Sequence, residues 1–149
     1  MRYWEDIRVG DVFELGPVDV REDEVIAFAT AYDPQPFHVD PQAAATGPFG
    51  GLVASGWHTA ALFMGMYVRE VLLDTASMGS PGVEQIRWRV PVRPGDRLRA
   101  RVSITGSTAS KTNPRRGTVV SECEVLNQRD EVVMTLTARG LFARREPAA

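Results

Sequence analysis

The sequence predicts an α+β fold in which a curved antiparallel sheet wraps around one long central helix. The first observation is the stretch 52–68, which carries no charged residue apart from a protonated form of His58. A helix that is apolar nearly all round is a buried helix. The second observation is the C-terminal half, where apolar and polar residues alternate as in half-buried strands. A strongly curved sheet would cover most of the helix, and a second copy of the chain would cover the remainder.

The chain opens with one strand and one helix. Residues 12–20 have strand composition, interrupted by a Gly-Pro pair at 16–17. Acidic residues at 22–24 open a helix, because negative charge is favourable at the positive end of the helix dipole. That helix ends at Asp33, because Pro34 disfavours helical geometry in the residue before it.

Two further helices precede the sheet. The first is short, over about 41–46, with Asp40 as its N-cap and Pro41 at its first position. The second is the central helix, predicted over about 52–73 and entered through a glycine-rich segment.

The C-terminal half supplies four strands joined by short turns. We predict a single domain over 1–149 with a core at about 3–142, and a frayed tail after Arg144. The predicted strands cover residues 83–90, 97–105, 118–126 and 131–142.

Composition excludes several function classes. The chain has 149 residues, long enough for one domain with a full core, and its net charge is −2. This balance gives no bulk electrostatic reason to bind nucleic acid or an anionic membrane. The single cysteine, Cys123, leaves no internal disulfide and fits a reducing compartment, so we expect a cytoplasmic location. No Cys/His cluster with metal-ligand spacing is present in the sequence.

The segment that carries chemistry is 33–38, which reads Asp-Pro-Gln-Pro-Phe-His. Two prolines stiffen it, so a rigid loop presents the carboxylate of Asp33 and the imidazole of His38. An Asp and a His together are suited to proton transfer near neutral pH. On spacing alone, the alternative is that Asp33 caps a helix and His38 packs in a turn.

The pattern resembles the MaoC-like hydratase and dehydratase family of hot-dog folds, which includes the R-specific enoyl-CoA hydratases. The family signature is an Asp, then Asn-Pro, then a His five residues after the Asp; here Gln35 stands in place of the Asn. The sequence Gly-Gly-Leu-Val-Ala-Ser-Gly at 50–56 is similar to the family's entry to its central helix. The sequence Val-Pro-Val-Arg-Pro-Gly-Asp at 90–96 is similar to the strand and turn that follow that helix.

The resemblance implies hydration of trans-2-enoyl thioesters, with CoA the expected carrier, by Asp33 and His38 as the catalytic pair. No cofactor is needed for this reaction, and no metal. The amide of Gly56 would bind the thioester oxygen, because a helix N-terminus offers free N–H groups. The other predicted substrate-binding residues are Ser55, Gln35 and Trp57.

One family feature is absent. R-specific hydratases often carry a serine in the first turns of the central helix that positions the Asp, and here the corresponding residue is Ala61. Either His58 or Thr59 would substitute for it, or the Asp is held differently. We otherwise interpret His58 as a core or interface histidine.

A basic loop at 110–117 offers Lys111, Arg115 and Arg116 as contacts for the phosphates of CoA, since such side chains pair well with phosphate. The alternative is an ordinary solvated loop.

Two other functions remain open. One is a hot-dog thioesterase, which would carry its acid on the central helix, where 52–68 has none. The other is a non-catalytic acyl-binding subunit. The family also implies a homodimer, or a dimer of dimers, formed by edge-to-edge pairing of sheets.

Overall fold

The computed structural model describes residues 1–146 and contains one antiparallel sheet of five strands in the order β1-β3-β4-β5-β2. The strands differ from their predicted ranges by a few residues, most at the end of β3, which stays paired with β4 as far as Ala109 and Gly117. The strand bounds are Val12–Asp19 (β1), Gly82–Trp88 (β2), Arg97–Ala109 (β3), Arg116–Leu126 (β4) and Val132–Ala143 (β5).

Four α-helices lie in the N-terminal half, before β2. The predicted end of α1 at Asp33 and the predicted N-cap Asp40 are confirmed, since Asp40 accepts hydrogen bonds from the first backbone amides of α3. The helix bounds are Glu22–Tyr32 (α1), Pro36–Val39 (α2), Pro41–Ala45 (α3) and Gly56–Glu70 (α4).

The central helix α4 begins four residues later than predicted, because the backbone before it is hydrogen-bonded to other segments. The amide of Val53 donates to Phe37 O at 3.0 Å, and the amide of Ala54 donates to Val92 O at 2.8 Å. Residues engaged in this way cannot enter a helix, so α4 starts at Gly56. This extended segment ties α2 to the chain just before β3.

The sheet curves around α4, as predicted. Phe63, Met66 and Tyr67 on the inner face of the helix are buried in a core with strand residues such as Leu98 and Val102. Burial of apolar side chains of this size is the main source of stability in such a core. The outer face of α4 remains exposed in the single chain, and this is the part of the helix that a second copy was predicted to cover.

The end of β5 is anchored rather than frayed. The guanidinium of Arg145 lies 2.6 Å from Asp6, and that of Arg144 lies 3.3 Å from Glu5. These contacts join the last strand to the N-terminal turn at Trp4–Asp6. Arg145 is the first residue of the tail that was predicted to fray, and the last part of that tail, 147–149, lies outside the described residues.

None of the helices between residues 1 and 146 is both long and apolar enough to cross a membrane.

Candidate active site

Asp33 and His38 lie side by side at one end of α4. Asp33 follows the last residue of α1, whereas His38 lies inside the four-residue helix α2. The prediction of a loop is therefore wrong for His38; Pro36 opens a helix there, because its fixed φ suits the first helical position. One turn of helix brings His38 Nε2 to 3.2 Å from Asp33 Oδ2.

The imidazole of His38 is fixed through its other nitrogen. Nδ1 lies 2.6 Å from the backbone oxygen of Val53, in the extended segment before α4. A carbonyl oxygen only accepts hydrogen bonds, so Nδ1 carries a hydrogen. Proton exchange is then left to Nε2, which is the nitrogen that faces Asp33. The side chain of His38 is 8% exposed, so this orientation is held within the fold.

The carboxylate of Asp33 accepts two side-chain hydrogen bonds besides its contact with His38. The Gln35 amide donates to Oδ1 at 2.7 Å, and the Ser55 hydroxyl donates to Oδ2 at 2.8 Å. The hydrogen bond from Gln35, followed by that from Ser55 and the charge of His38, holds the pKa of Asp33 below its usual value, although partial burial opposes this. The carboxylate is thus kept ionised and ready to accept a proton.

Ser55 supplies the hydroxyl that sequence reasoning sought at Ala61. Ser55 is fully buried, and its oxygen also accepts a hydrogen bond from the amide of Trp57, as an N-cap does. Ala61 points to solvent, one and a half turns further along α4. Serine is favoured as the N-cap of a helix, and this preference was the sequence signal that would have placed the Ser55 hydroxyl at the start of α4.

Ser55 and Gln35 were predicted to bind substrate, and this stays a prediction. In the structure their side chains contact Asp33. They belong to the site through the carboxylate that they orient.

A cavity of about 440 Å³ opens beside this pair. Its wall carries Asp33 and His38 on one side and the first turn of α4 on the other, where Gly56 and Trp57 line it. Apolar side chains, including Phe37, form much of the remaining surface. The structure therefore brings four of the predicted site residues to one cavity.

Gly56 is the first residue of α4, and no larger residue fits there. A β-carbon at this position would lie 2.4 Å from the indole of Trp88. Trp88 donates its Nε1 hydrogen to Gly56 O at 2.8 Å, which holds the indole against the helix. The first turn of α4 lines the cavity, and a helix N-terminus carries a positive dipole end. Trp88 is a site residue that sequence reasoning missed, because nothing in β2 indicated which face met the helix.

The three basic residues predicted to contact phosphates do not reach this cavity within one chain. Lys111, Arg115 and Arg116 lie at the turn between β3 and β4, where Arg115 O accepts a hydrogen bond from the amide of Arg144. The basic residue that lines the cavity is Arg89, just after β2.

Two other titratable side chains are buried away from the cavity. His58 stacks on Phe28 with ring centroids 4.8 Å apart, and burial lowers its pKa, so the ring is neutral at pH 7. Burial raises the pKa of the Cys123 thiol to about 12, which leaves it protonated. The burial of His58 fits the core role predicted for it.

Within residues 1–146, no three His, Cys, Asp or Glu side chains are grouped so that they could hold a metal ion.

The sequence pattern of the MaoC-like domain family matches residues 7–125. The crystal structure of a MaoC-like dehydratase from Rhodospirillum rubrum superposes with a TM-score of 0.88 at 42% identity, covering 97% of this chain and 98% of that one. The 3-hydroxyacyl-thioester dehydratase Z of Mycobacterium tuberculosis is 34% identical over 72% of this chain and 73% of its own. The 3-hydroxybutyryl-CoA dehydratase of Methylorubrum extorquens is 29% identical over 98% of this chain and 87% of its own.

The contact between Gln35 and Asp33 predicts a titration shift. In Gln35→Leu the pKa of Asp33 should rise, because the largest influence that lowers it is removed. A lowered folded-state pKa stabilises the fold above the unfolded pKa, and this contribution is lost as pH falls through the folded value. The variant should therefore also lose part of its stability above the unfolded pKa. Carboxyl NMR titration and urea denaturation at several pH values measure the two effects.

The matched control is Gln42→Leu, which removes an exposed glutamine side chain from α3. An unchanged pKa for Asp33 in Gln35→Leu, or an equal rise in both variants, would contradict the role given to Gln35.

Proposed function

The chain belongs to the family of MaoC-like domains, and from that premise we propose that it catalyses the reversible hydration of trans-2-enoyl thioesters to (R)-3-hydroxyacyl thioesters. The names of the two dehydratases that it resembles support this class of reaction. The (R) configuration follows from the resemblance to the R-specific hydratases. The name of the Methylorubrum extorquens relative also supports CoA as the carrier.

The observation that carries the proposal is the pairing of Asp33 and His38 at the wall of a cavity that also contains a helix N-terminus. Asp33 Oδ2 and His38 Nε2 are 3.2 Å apart, so one water molecule can contact both. The first turn of α4 lines the same cavity. Hydration of a conjugated thioester needs both parts, a base for water and a donor for the thioester oxygen.

In the proposed reaction, Asp33 accepts a proton from water as the water oxygen bonds to C3. His38 orients the same water through Nε2 and takes part in the proton transfer. The electrons of the double bond move onto the thioester oxygen and give an enolate. The Asp33–His38 pair then delivers a proton to C2 and returns to its starting protonation state, so that one water molecule is consumed and no proton is released overall. Positioned acid–base groups contribute about 10²–10⁴-fold to such rates.

The enolate oxygen needs a hydrogen-bond donor, and we assign this role to the amide of Gly56, because the next amide, that of Trp57, already donates to Ser55 Oγ. The positive end of the α4 dipole stabilises negative charge at that position. One donor of this kind lowers the activation barrier by about 3 kcal/mol.

A thioesterase is less well supported. Hot-dog thioesterases usually carry their acid on the central helix, and the only acid in α4 is Glu70, at its last residue. Its carboxylate accepts a hydrogen bond from the Gly16 amide, on β1.

Hydration of crotonyl-CoA, followed by the loss of absorbance of the conjugated thioester, distinguishes a hydratase from a non-catalytic acyl-binding protein. Release of free CoA would instead indicate a thioesterase.

The first prediction concerns the catalytic pair. Asp33→Asn and His38→Ala should each reduce kcat for crotonyl-CoA hydration by about 10²–10⁴-fold, because each removes one proton-transfer group. The control is Asp40→Asn, an acid in the same region that caps α3, since asparagine serves as an N-cap as well as aspartate. Near-normal rates in either site variant would contradict the proposed mechanism.

Arg89 is a better candidate to contact the phosphates of CoA than the basic residues at the β3–β4 turn. Arg89 lines the cavity and its side chain is exposed, so it can meet a charged group at the mouth. Guanidinium groups bind phosphate through paired, charge-assisted hydrogen bonds. We propose that Arg89 contacts the phosphates of CoA.

Arg89→Ala should raise KM for crotonyl-CoA about tenfold, the loss expected for one charge-assisted hydrogen bond. KM for crotonyl-pantetheine, which has no phosphate, should not change. Arg115→Ala is the matched control and should leave both values unchanged. A rise in KM for Arg115→Ala and none for Arg89→Ala would return phosphate binding to the β3–β4 turn.

Edge-to-edge dimerisation is the third point. β2 is an edge strand that pairs only with β5 among the described residues. Val83 is 54% exposed, and it lies on this edge strand near the exposed outer face of α4. An unpaired strand edge readily accepts another strand. We propose that two copies pair through β2.

Val83→Glu should therefore shift the protein from dimer to monomer in sedimentation velocity at micromolar concentration. The control is Val12→Glu on the opposite edge strand β1, where Val12 is 52% exposed. Dissociation by Val12→Glu, with none by Val83→Glu, would place the dimer contact on β1 and contradict pairing through β2.

A further inference from the structure

A second cavity, of about 270 Å³, lies between α4 and strands β2 and β5. Its lining is strongly apolar, unlike that of the first cavity, which contains Asp33, His38 and Arg89. The main apolar side chains that line it are Phe63, Met64, Tyr67, Ile86, Leu136 and Phe142.

Trp57 stands between the two cavities. Among residues 1–146 it is the one residue that lines both of them. It directly follows Gly56, which lines the first cavity and carries the amide proposed to bind the thioester oxygen, so Trp57 lies beside the place proposed for the thioester. The space beyond the indole is therefore apolar and adjacent to the reacting atoms.

The indole of Trp57 is held by contact with Trp88. The two rings meet edge to face, with centroids 5.0 Å apart, an arrangement that aromatic pairs favour. Trp88 is itself fixed by its hydrogen bond to Gly56 O. The wall between the cavities is thus a pair of rings supported from the sheet, rather than one mobile side chain.

We propose that Trp57 sets the acyl-length limit of this enzyme by closing the apolar second cavity to the acyl tail. The proposal rests on the proposed hydratase function. The preferred substrates are then short 2-enoyl thioesters, whose tails end at the indole. Without the indole, a longer tail enters the second cavity and buries its methylene groups there.

The test is the ratio of kcat/KM for trans-2-decenoyl-CoA to that for crotonyl-CoA, measured in the wild type and in Trp57→Ala. In Trp57→Ala, each methylene of the decenoyl tail that enters the second cavity should raise this ratio about fourfold. Entry of three methylenes should therefore raise the ratio about 60-fold. The indole is 58% exposed, so its removal should cost little core packing. Trp57→Leu, which keeps an apolar side chain but not the reach of the indole, should shift the ratio in the same direction and serves if Trp57→Ala does not fold.

The matched control is Ala138→Leu, which narrows the second cavity from β5 and does not touch the first. In the wild-type background it should leave the ratio unchanged, because the tail does not reach that cavity. Combined with Trp57→Ala it should cancel the gain for decenoyl-CoA.

Three outcomes would overturn the proposal. These are an unchanged ratio in both Trp57 variants, a wild type that already prefers decenoyl-CoA, or a fall in the ratio for Ala138→Leu alone. In each of these cases the wild type still hydrates crotonyl-CoA. Failure of the hydratase proposal is distinguishable, because the wild type would then hydrate neither substrate.

Discussion

The hydrogen bond from Ser55 to Asp33 is the contact on which the rest of the site depends. It joins two residues 22 positions apart, and with them the end of α1 and the start of α4. The same hydroxyl accepts from the amide of Trp57, so one buried oxygen both caps the central helix and orients the carboxylate. A buried hydroxyl that satisfies two partners is costly to displace, because each partner would be left without its hydrogen bond.

A second constraint runs from the sheet edge to the helix. Trp88 fills the space where any residue other than glycine would carry a side chain at position 56, and it bonds to the backbone there. The glycine was predicted as a binding residue because it frees an amide; the structure adds that the indole requires it. Close packing by Trp88 and access to the backbone amide both favour a residue without a side chain at position 56, so the two explanations of Gly56 are compatible.

The sequence predicted the fold well, since a long apolar helix followed by alternating strands leaves few ways to bury both. It also indicated the pair Asp33 and His38, because a stiff segment with two prolines restricts where side chains can point. It did not predict that Ser55 holds Asp33, since residues 52–55 look helical by composition and are extended by hydrogen bonding to distant segments. Contacts across the fold, such as that of Trp88 with α4, depend on the place of β2 in the sheet, beside β5 rather than β3, and the sequence of β2 alone does not encode that place.

Three consecutive residues at the start of α4 thus face three different requirements. Ser55 turns inward to Asp33, Gly56 lines the first cavity, and the largely exposed Trp57 lines both cavities. Successive residues of a helix point about 100° apart, which lets neighbours serve different surfaces. Because Trp88 contacts both Gly56 and Trp57, the position of β2 couples the proposed oxyanion donor to the proposed length limit. A shift of that edge strand, including one caused by a second copy pairing with it, would therefore alter the rate and the choice of acyl chain together.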